Sequence, residues 1–452
     1  MLAIGETART TRKIRSMSLF EEHPLRRDLN DEVHARPPVP MDVPEVVTYL
    51  AFVREEGVDA VARAAEEDAH LRRLARQLGL PEPDTGNDHV FLDAGEFRLK
   101  WQRHNEFSSY AFYRQADVPP GDDESALLAV PAEWRKHIPG QLIVATHVEV
   151  RTVAEVPPDG VMSRLSPQGP TQVVARVADG AGWVFTDFQI HDGFSRFLLI
   201  DVSLTPRQSG RLVQRLLEIE TYRIMALLAF PVAKAVGRQV SGAELELADL
   251  MDVIGRARDA EDERGVLAGL TRLAADVERS VARTTYRFGA AAAYYRLMQQ
   301  RIDELRESRV AGFPTILEFM ERRLAPAMAT CETIARRQEE LSGRIARNSQ
   351  LLRTRVDVEL ERQNQALLEQ MNRRAKLQLR LQETVEGLSI VAITYYGSQL
   401  VHYLAKGAAA WIAPVSPEVV TAVAIPTIAG LVFLGLRRMR REVASEAEKI
   451  DG

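Results

Sequence analysis

Two apolar runs near the C-terminus stand apart from the pattern of the rest of the chain. Gly387 to Ala405 (GLSIVAITYYGSQLVHYLA) and Val419 to Leu436 (VVTAVAIPTIAGLVFLGL) hold 19 and 18 residues without Asp, Glu, Lys or Arg. At about 1.5 Å per residue each approaches the roughly 30 Å of a bilayer's hydrocarbon core, so the pattern predicts two membrane-spanning helices. The connector KGAAAWIAPVSPE, with one Lys, one Glu, two prolines and a Trp, turns the pair into a hairpin. Arg373, Arg374, Lys376 and Arg380 precede the first run, and Arg437, Arg438, Arg440 and Arg441 follow the second. The positive-inside rule then puts both outer ends in the cytoplasm. A buried hairpin of a soluble protein is the alternative, but it has no need of arginine clusters on both outer ends.

Upstream the period changes. Val47, Tyr49, Ala51 and Val53 alternate as one face of a strand, and an Ala/Arg/Glu-rich amphipathic helix over about Val58 to Leu78 follows, stopped by Gly79 and Pro81. HVFLDAGEFRLKWQRHNEFSSYAFYRQ predicts two or three antiparallel strands turning at Asp93-Ala94-Gly95 and near His104-Asn105. A short helix around Pro131 to His137, a strand over QLIVATHVEVRTV and three further strands at about 171–178, 182–190 and 196–204 complete an α+β module. Its helices are too few to make every connection a crossover, so the sheet is expected to be largely antiparallel.

Beyond Thr205-Pro206, a helix start, the pattern is helical to the end. Helices are predicted over about 207–236, kinked at Phe230-Pro231, then 241–257 and 262–309, with Gly312-Phe313-Pro314 as a break. A last helix from Thr315 runs through the first apolar run, Pro326 being its one proline. Leu341, Ile345, Leu352, Val356, Leu360, Leu367 and Met371 step by four and seven, and Ile345, Val356 and Leu367 by eleven, a nearly straight packing stripe. A stripe this long predicts a homo-oligomeric stalk; antiparallel packing on the helix ending near Arg309 is the alternative.

Composition narrows the picture. The net charge of −5 argues against a nucleic-acid partner, although the basic flanks suit anionic lipid headgroups. One cysteine, Cys331, excludes an internal disulfide and fits a reducing compartment. The N-terminus has no apolar run of signal-peptide length. The chain holds no HExxH, paired CxxC, Walker A or GxSxG sequence, so neither an enzyme nor a cofactor is expected. His191, Asp192 and Ser195 crowd one turn, where neighbours cannot aim at one another as a triad must. The organisation expected is a disordered 1–20, an extended arm 21–44, an α+β domain 45–205, a helical stalk or bundle 206–384, a transmembrane hairpin 385–441 and a cytoplasmic tail 442–452.

The arm carries the densest chemistry. Its string His-Pro-Leu-Arg-x-x-Leu-x-x-Glu-x-His-Ala-Arg-Pro places His23, Arg26, Glu32, His34 and Arg36 within one short stretch, suited to binding an anion or forming a surface ion-pair network. With LLRTRVDVELERQNQALLEQMNRRAKLQLRLQETVEGLS downstream, this string resembles an uncharacterised bacterial membrane-protein family known only as domain of unknown function 3422. The resemblance implies inner-membrane topology and assigns no activity.

Two further resemblances bear on function. A cytoplasmic α+β domain, a long helix entering the membrane and a second span are similar in architecture to CorA-type magnesium channels, whose first span ends in Tyr-Gly-Met-Asn. The nearest string is Tyr396-Gly397-Ser398-Gln399, which sits mid-run, and the connector has Glu418 as its one acid. With His402 these residues are candidates to line a pore for a divalent cation, or to join helices inside the bilayer. The string Glu220-x-Tyr222-Arg223 resembles the mitochondrial meiotic-nuclear-division family of membrane-tethered scaffolds. The expectation is a multi-pass inner-membrane scaffold or binding protein with both termini cytoplasmic, the alternative being a CorA-like channel.

Overall fold

The structure, a computed structural model, describes residues 23–27, 29–30, 37–54, 59–86, 88–116, 125–165, 171–256, 260–408 and 416–450. In chain order it forms β1 (Glu45–Val53), α1 (Ala60–Gln77), β2 (His89–Asp93), β3 (Arg98–Arg103), β4 (Phe107–Gln115), α2 (Ala132–Arg135), β5 (Gln141–Thr152), α3 (Pro158–Met162), β6 (Val173–Val177), β7 (Gly182–His191) and β8 (Phe194–Asp201). Then come α4 (Pro206–Leu227), α5 (Ala229–Arg256), α6 (Ala260–Leu305), the two-residue β9 (Ser308–Arg309), α7 (Ile316–Arg323), α8 (Ala325–Gly407) and α9 (Pro417–Ile450). Packing groups residues 1–252 and 269–347 into one compact unit, and 253–268 and 348–452 into a second.

The first unit is organised on one mixed sheet of order β2-β3-β4-β1-β5-β8-β7-β6-β9, in which β5 and β8 run parallel and the other neighbours antiparallel. The strands lie where alternation predicts them. The turn after β7 requires positive φ at both central residues, and Asp192 (51°) and Gly193 (90°) supply it. Two features were not anticipated. The segment holding α3, β6 and β7 acts as a crossover that brings β8 back beside β5 in parallel. Ser308 and Arg309, after three helices, pair with Arg176 and Ala175 and so return the chain to the edge of the sheet.

Both faces of the sheet are covered, which is why the strands carry so many apolar residues. On one face Val46, Leu50, Trp101, Tyr110 and Phe112 pack with Leu71 and Leu74 of α1 and Trp134 of α2. Trp134 stacks on His70 with ring centroids 4.3 Å apart and donates from Nε1 to the His70 carbonyl at 2.8 Å. Burial, helped by Arg73 and His137, pushes the His70 imidazole down to about 4. Farther along the same face, Val174, Phe185 and Ile200 are covered by Val161 and Met162 of α3 and by Val156 and Leu165 beside it.

The opposite face meets α4. Thr205 and Gln208 close a capping box at its start, and its stripe Leu212, Val213, Leu216 and Ile219 is buried. Gly210 lets the incoming segment cross the helix: a Cβ there would stand 1.9 Å from the Val39 carbonyl oxygen. Val39 and Met41 are buried as a result, and Met41 N donates to the Pro206 carbonyl at 3.1 Å.

Helix boundaries depart from the sequence reading in two places. The break falls between Leu227 and Ala229, so Phe230-Pro231 lies in the first turn of α5, which continues unbroken to Arg256, with Gly237 packed on Ile334 of α8. Pro326 does not lie within a helix running on from Thr315. It sits in the first turn of α8, after Leu324 ends α7, where its missing N–H removes no bond. Within the first unit α5, α6 and α8 are joined by polar contacts, Arg337 to Glu244 at 2.6 Å and Thr284 to Gln338 at 3.2 Å.

In the second unit Arg355 pairs with Glu263 at 2.6 Å, and Val266, Leu352 and Val356 are buried. After Val356 the α8 stripe is uncovered: Leu367, Met371 and Leu381 are 59%, 66% and 67% exposed. Within α9, Pro417–Arg438 has a mean hydropathy of 2.3 with none of its apolar window buried, and among the described residues it is the one helix long and apolar enough to cross a membrane. Of the two runs expected to span, it is the one that meets that length and hydropathy. The run Gly387 to Ala405 is helical, as the C-terminal part of α8, but Ser389, Thr394, Tyr395, Tyr396, Ser398, Gln399, His402 and Tyr403 dilute its apolar character.

Candidate functional site

Between the cover formed by α1 and α2 and that formed by α3, a cleft of about 310 Å³ opens over β5, β8 and β7, lined by His147, Glu149, Asp187, His191 and Arg196. The parallel pairing sets His147 of β5 level with Arg196 of β8, on the same face. The His147 ring stacks on Phe194 at 4.0 Å, and its Nδ1 lies 3.0 Å from the Thr48 hydroxyl, so it is held by its face and by one nitrogen. Glu149 accepts from Arg151 Nε at 2.7 Å and is thereby committed to its neighbour.

A bulge supplies the rest. The β7–β8 register shifts between Thr186 and Ile190, and Phe188 inside the bulge holds φ at 56°, a conformation costing a bulky residue roughly 1–3 kcal/mol. Its ring is pinned on the far face, stacked on Phe319 of α7 at 4.9 Å and crossed edge-on by Phe197. That anchoring turns Asp187 and His191, four residues apart, toward the cleft, where His191 Nε2 donates to Asp187 Oδ2 at 2.8 Å. Arg196 reaches Asp192 at 3.5 Å. The cleft therefore gathers two imidazoles, one of them held by a carboxylate, and a guanidinium. Such a set binds an anion and can move a proton. Ser195 takes no part: it lies on the opposite face, 2.9 Å from the Thr146 hydroxyl and 3.3 Å from the Ala145 carbonyl.

Sequence reasoning placed His191 at its turn and His147 inside a predicted strand, and did not bring them together. Parallel β5–β8 pairing was the missing information, and a bulge that aims Asp187 leaves no trace in local spacing.

The other candidate residues fall elsewhere. His23 and Arg26 are exposed, His23 Nδ1 accepting from Leu25 N at 3.2 Å. Glu32, His34 and Arg36 lie outside the described residues, so the arm cluster is not brought together here. In the second unit Tyr396 is 71% exposed and Gln399 is exposed, while Ser398 is buried with its hydroxyl on the Tyr395 carbonyl at 2.9 Å. A Cβ on Gly397 would stand 3.3 Å from Ile428 of α9, and His402 Nδ1 lies 2.9 Å from the Thr421 hydroxyl. Gly397 and His402 thus meet a neighbouring helix of the same chain, as helix-joining residues do.

Comparison with known proteins settles the family and no more. No curated protein and no solved structure matches the chain, so the likeness to CorA-type channels gains no support. A family model described as "Protein of unknown function (DUF3422)" matches residues 21–443, nearly the whole chain, and the chain belongs to that family.

Proposed function

We propose that this protein is a membrane-tethered binding protein, in which α9 lies in a bilayer and the sheet unit holds a ligand or partner at the His147–His191–Arg196 cleft. The observation that carries the reading is the bare apolar helix Pro417–Arg438, with Val423, Leu431 and Leu434 more than 60% exposed and arginines at its end. An apolar face of that length is unstable in water and is covered by lipid at little cost. The preceding run crosses beside it in this reading, giving a multi-pass inner-membrane protein with both outer ends cytoplasmic. Support for the pair comes from the close approach of Gly397 to Ile428 and the His402–Thr421 contact, which give the polar groups of α8 partners inside the bilayer. The uncovered Leu367, Met371 and Leu381 are covered by further copies in a homo-oligomer.

Alkaline carbonate extraction of membranes holding the full chain tests the tether. The protein stays in the pellet, and Leu431→Arg, which costs roughly 3 kcal/mol at the centre of a span, shifts it toward the supernatant. Complete extraction of the unaltered chain sinks the reading. An impermeant maleimide separates one span from two: a cysteine at Ser416 is labelled from outside sealed cells only when both runs cross.

A further inference from the structure

Among the described residues Phe188 is the one aromatic at positive φ, in a place where glycine would sit without strain. Two sets of contacts hold it there. Within the bulge, the Thr186 hydroxyl donates to the Arg196 carbonyl at 2.8 Å and accepts from the Phe188 N–H at 3.2 Å. Asp187 is used twice, Oδ1 accepting from the Gln189 N–H at 2.9 Å while Oδ2 takes His191. Outside the bulge, the Phe188 ring is clamped by Phe319, by Phe197 and by the Arg223 guanidinium. That guanidinium lies 5.4 Å from the ring centre and is itself forked on the buried Glu220.

Phe319 belongs to an elbow. α7 lies against β6, with Ile316 and Met320 buried. Its first amides, of Ile316 and Leu317, donate to the Glu307 carboxylate at 3.0 and 2.9 Å, and the Val174 N–H of β6 donates at 3.2 Å to the Pro314 carbonyl just ahead of it. At its far end Leu324 closes α7, and α8 begins at the next residue. The bulge is therefore shared: its Asp187 serves the cleft and its Phe188 serves the elbow. One peptide unit joins the two, so neither is re-aimed alone. With Phe319 withdrawn, the ring contacts no longer offset the positive φ, and the backbone relaxes toward the ordinary negative range. That rotation turns the Asp187 carboxylate, and His191 with it, off the cleft.

We propose that the Phe188 bulge is a coupling element: α7 seated on its ring gives Asp187 and His191 their aim into the cleft, and the bonds of that pair hold α7 in its seat. Such coupling is reciprocal, because one two-state segment is biased from both ends. Phe319 and Glu307 are then positioning residues for the cleft, and the start of α8 is tied to the state of the site. As a means of regulating binding this rests on the cleft being the binding site; as a coupling within the fold it does not. It is also independent of the tether, because every residue it uses belongs to the first unit.

The test is hydrogen–deuterium exchange of the full chain in detergent, read by mass spectrometry over residues 186–196 and 316–324. Phe319→Ala raises exchange at 187–191 about tenfold, and Phe319→Leu, which keeps apolar volume and loses the stacked ring, raises it about threefold. Glu307→Ala, acting on α7 through its first amides, gives a smaller rise at the same positions, and Glu307→Gln restores part of it. In the reverse direction Asp187→Ala raises exchange over 316–323 about threefold. Leu71→Ala, beneath α1 at the other cover, leaves both segments unchanged, and circular dichroism confirms that each variant folds. Unaltered exchange at 187–191 in folded Phe319→Leu, or at 316–323 in Asp187→Ala, overturns the coupling. So does an equal rise in both segments in Leu71→Ala, which assigns the effect to general loosening. A cleft that binds no ligand sinks the binding reading and leaves the exchange result standing, so the two failures are told apart.

Discussion

Two helices of similar make-up end in opposite circumstances. α4 presents Leu212, Leu216, Ile219 and Met225 to the sheet and buries all four, whereas α8 beyond Val356 leaves Leu367, Met371 and Leu381 more than half exposed. Both carry charged residues between their leucines. What separates them is a surface to dock on. α4 follows directly from a strand, pinned by its capping box and by the Val39 segment crossing Gly210, so the chain itself completes its burial. The later stretch of α8 has no such face in its own unit among the described residues, and its stability depends on what the chain meets outside itself. In the first unit substitutions act through packing; in the second, under the proposed oligomer, they act through association.

The largest test of that contrast is Trp134→Ala. Trp134 is 1% exposed and holds α2 to α1 and the sheet, so its loss destabilises the first unit by about 3–5 kcal/mol in urea unfolding. Tryptophan fluorescence reads it, because Trp101 and Trp183 remain in that unit. Next comes pH. His70 is held neutral, at about 4 against an ordinary 6.5, so unfolding takes up a proton. Its contribution is complete above pH 6.5 and is lost as the pH falls toward 4, a total on the order of 3 kcal/mol. His70→Phe flattens the acid limb of the stability profile across that window; an unchanged slope assigns the acid loss to other groups. The smallest effect on folding is expected in the second unit. Leu367→Ala shifts the same urea midpoint by less than about 0.5 kcal/mol but lowers the oligomer mass seen by light scattering in detergent. A large shift in the midpoint would erase the distinction between the two stretches.

How much of this was legible from residues alone follows from the range of the interactions involved. The strands and their turns were readable because alternation and Asp-Gly pairs act over a few positions. Pro326 was misplaced because a proline is equally at home in a first turn or at a kink, and only the end of α7 at Leu324 decides which. The cleft was not readable. His147 and Arg196 are brought level by a pairing across nearly fifty residues of intervening chain. Asp187 is aimed by a strained Phe188 whose anchor, Phe319, belongs to a helix far downstream. The apolar C-terminal run was readable from composition, whereas its companion run is set apart by its tyrosines, His402 and Gln399.

The pairing of Ser308 and Arg309 with β6 has a consequence for biosynthesis. Eight strands leave the ribosome before the ninth exists, and the ring that pins Phe188 emerges later still. At roughly 5–20 residues per second the nascent sheet waits on the order of ten seconds for its last edge and its last anchor. During that interval its edge is open to other chains, so a stalled or shortened transcript ending near residue 205 should yield an aggregating fragment.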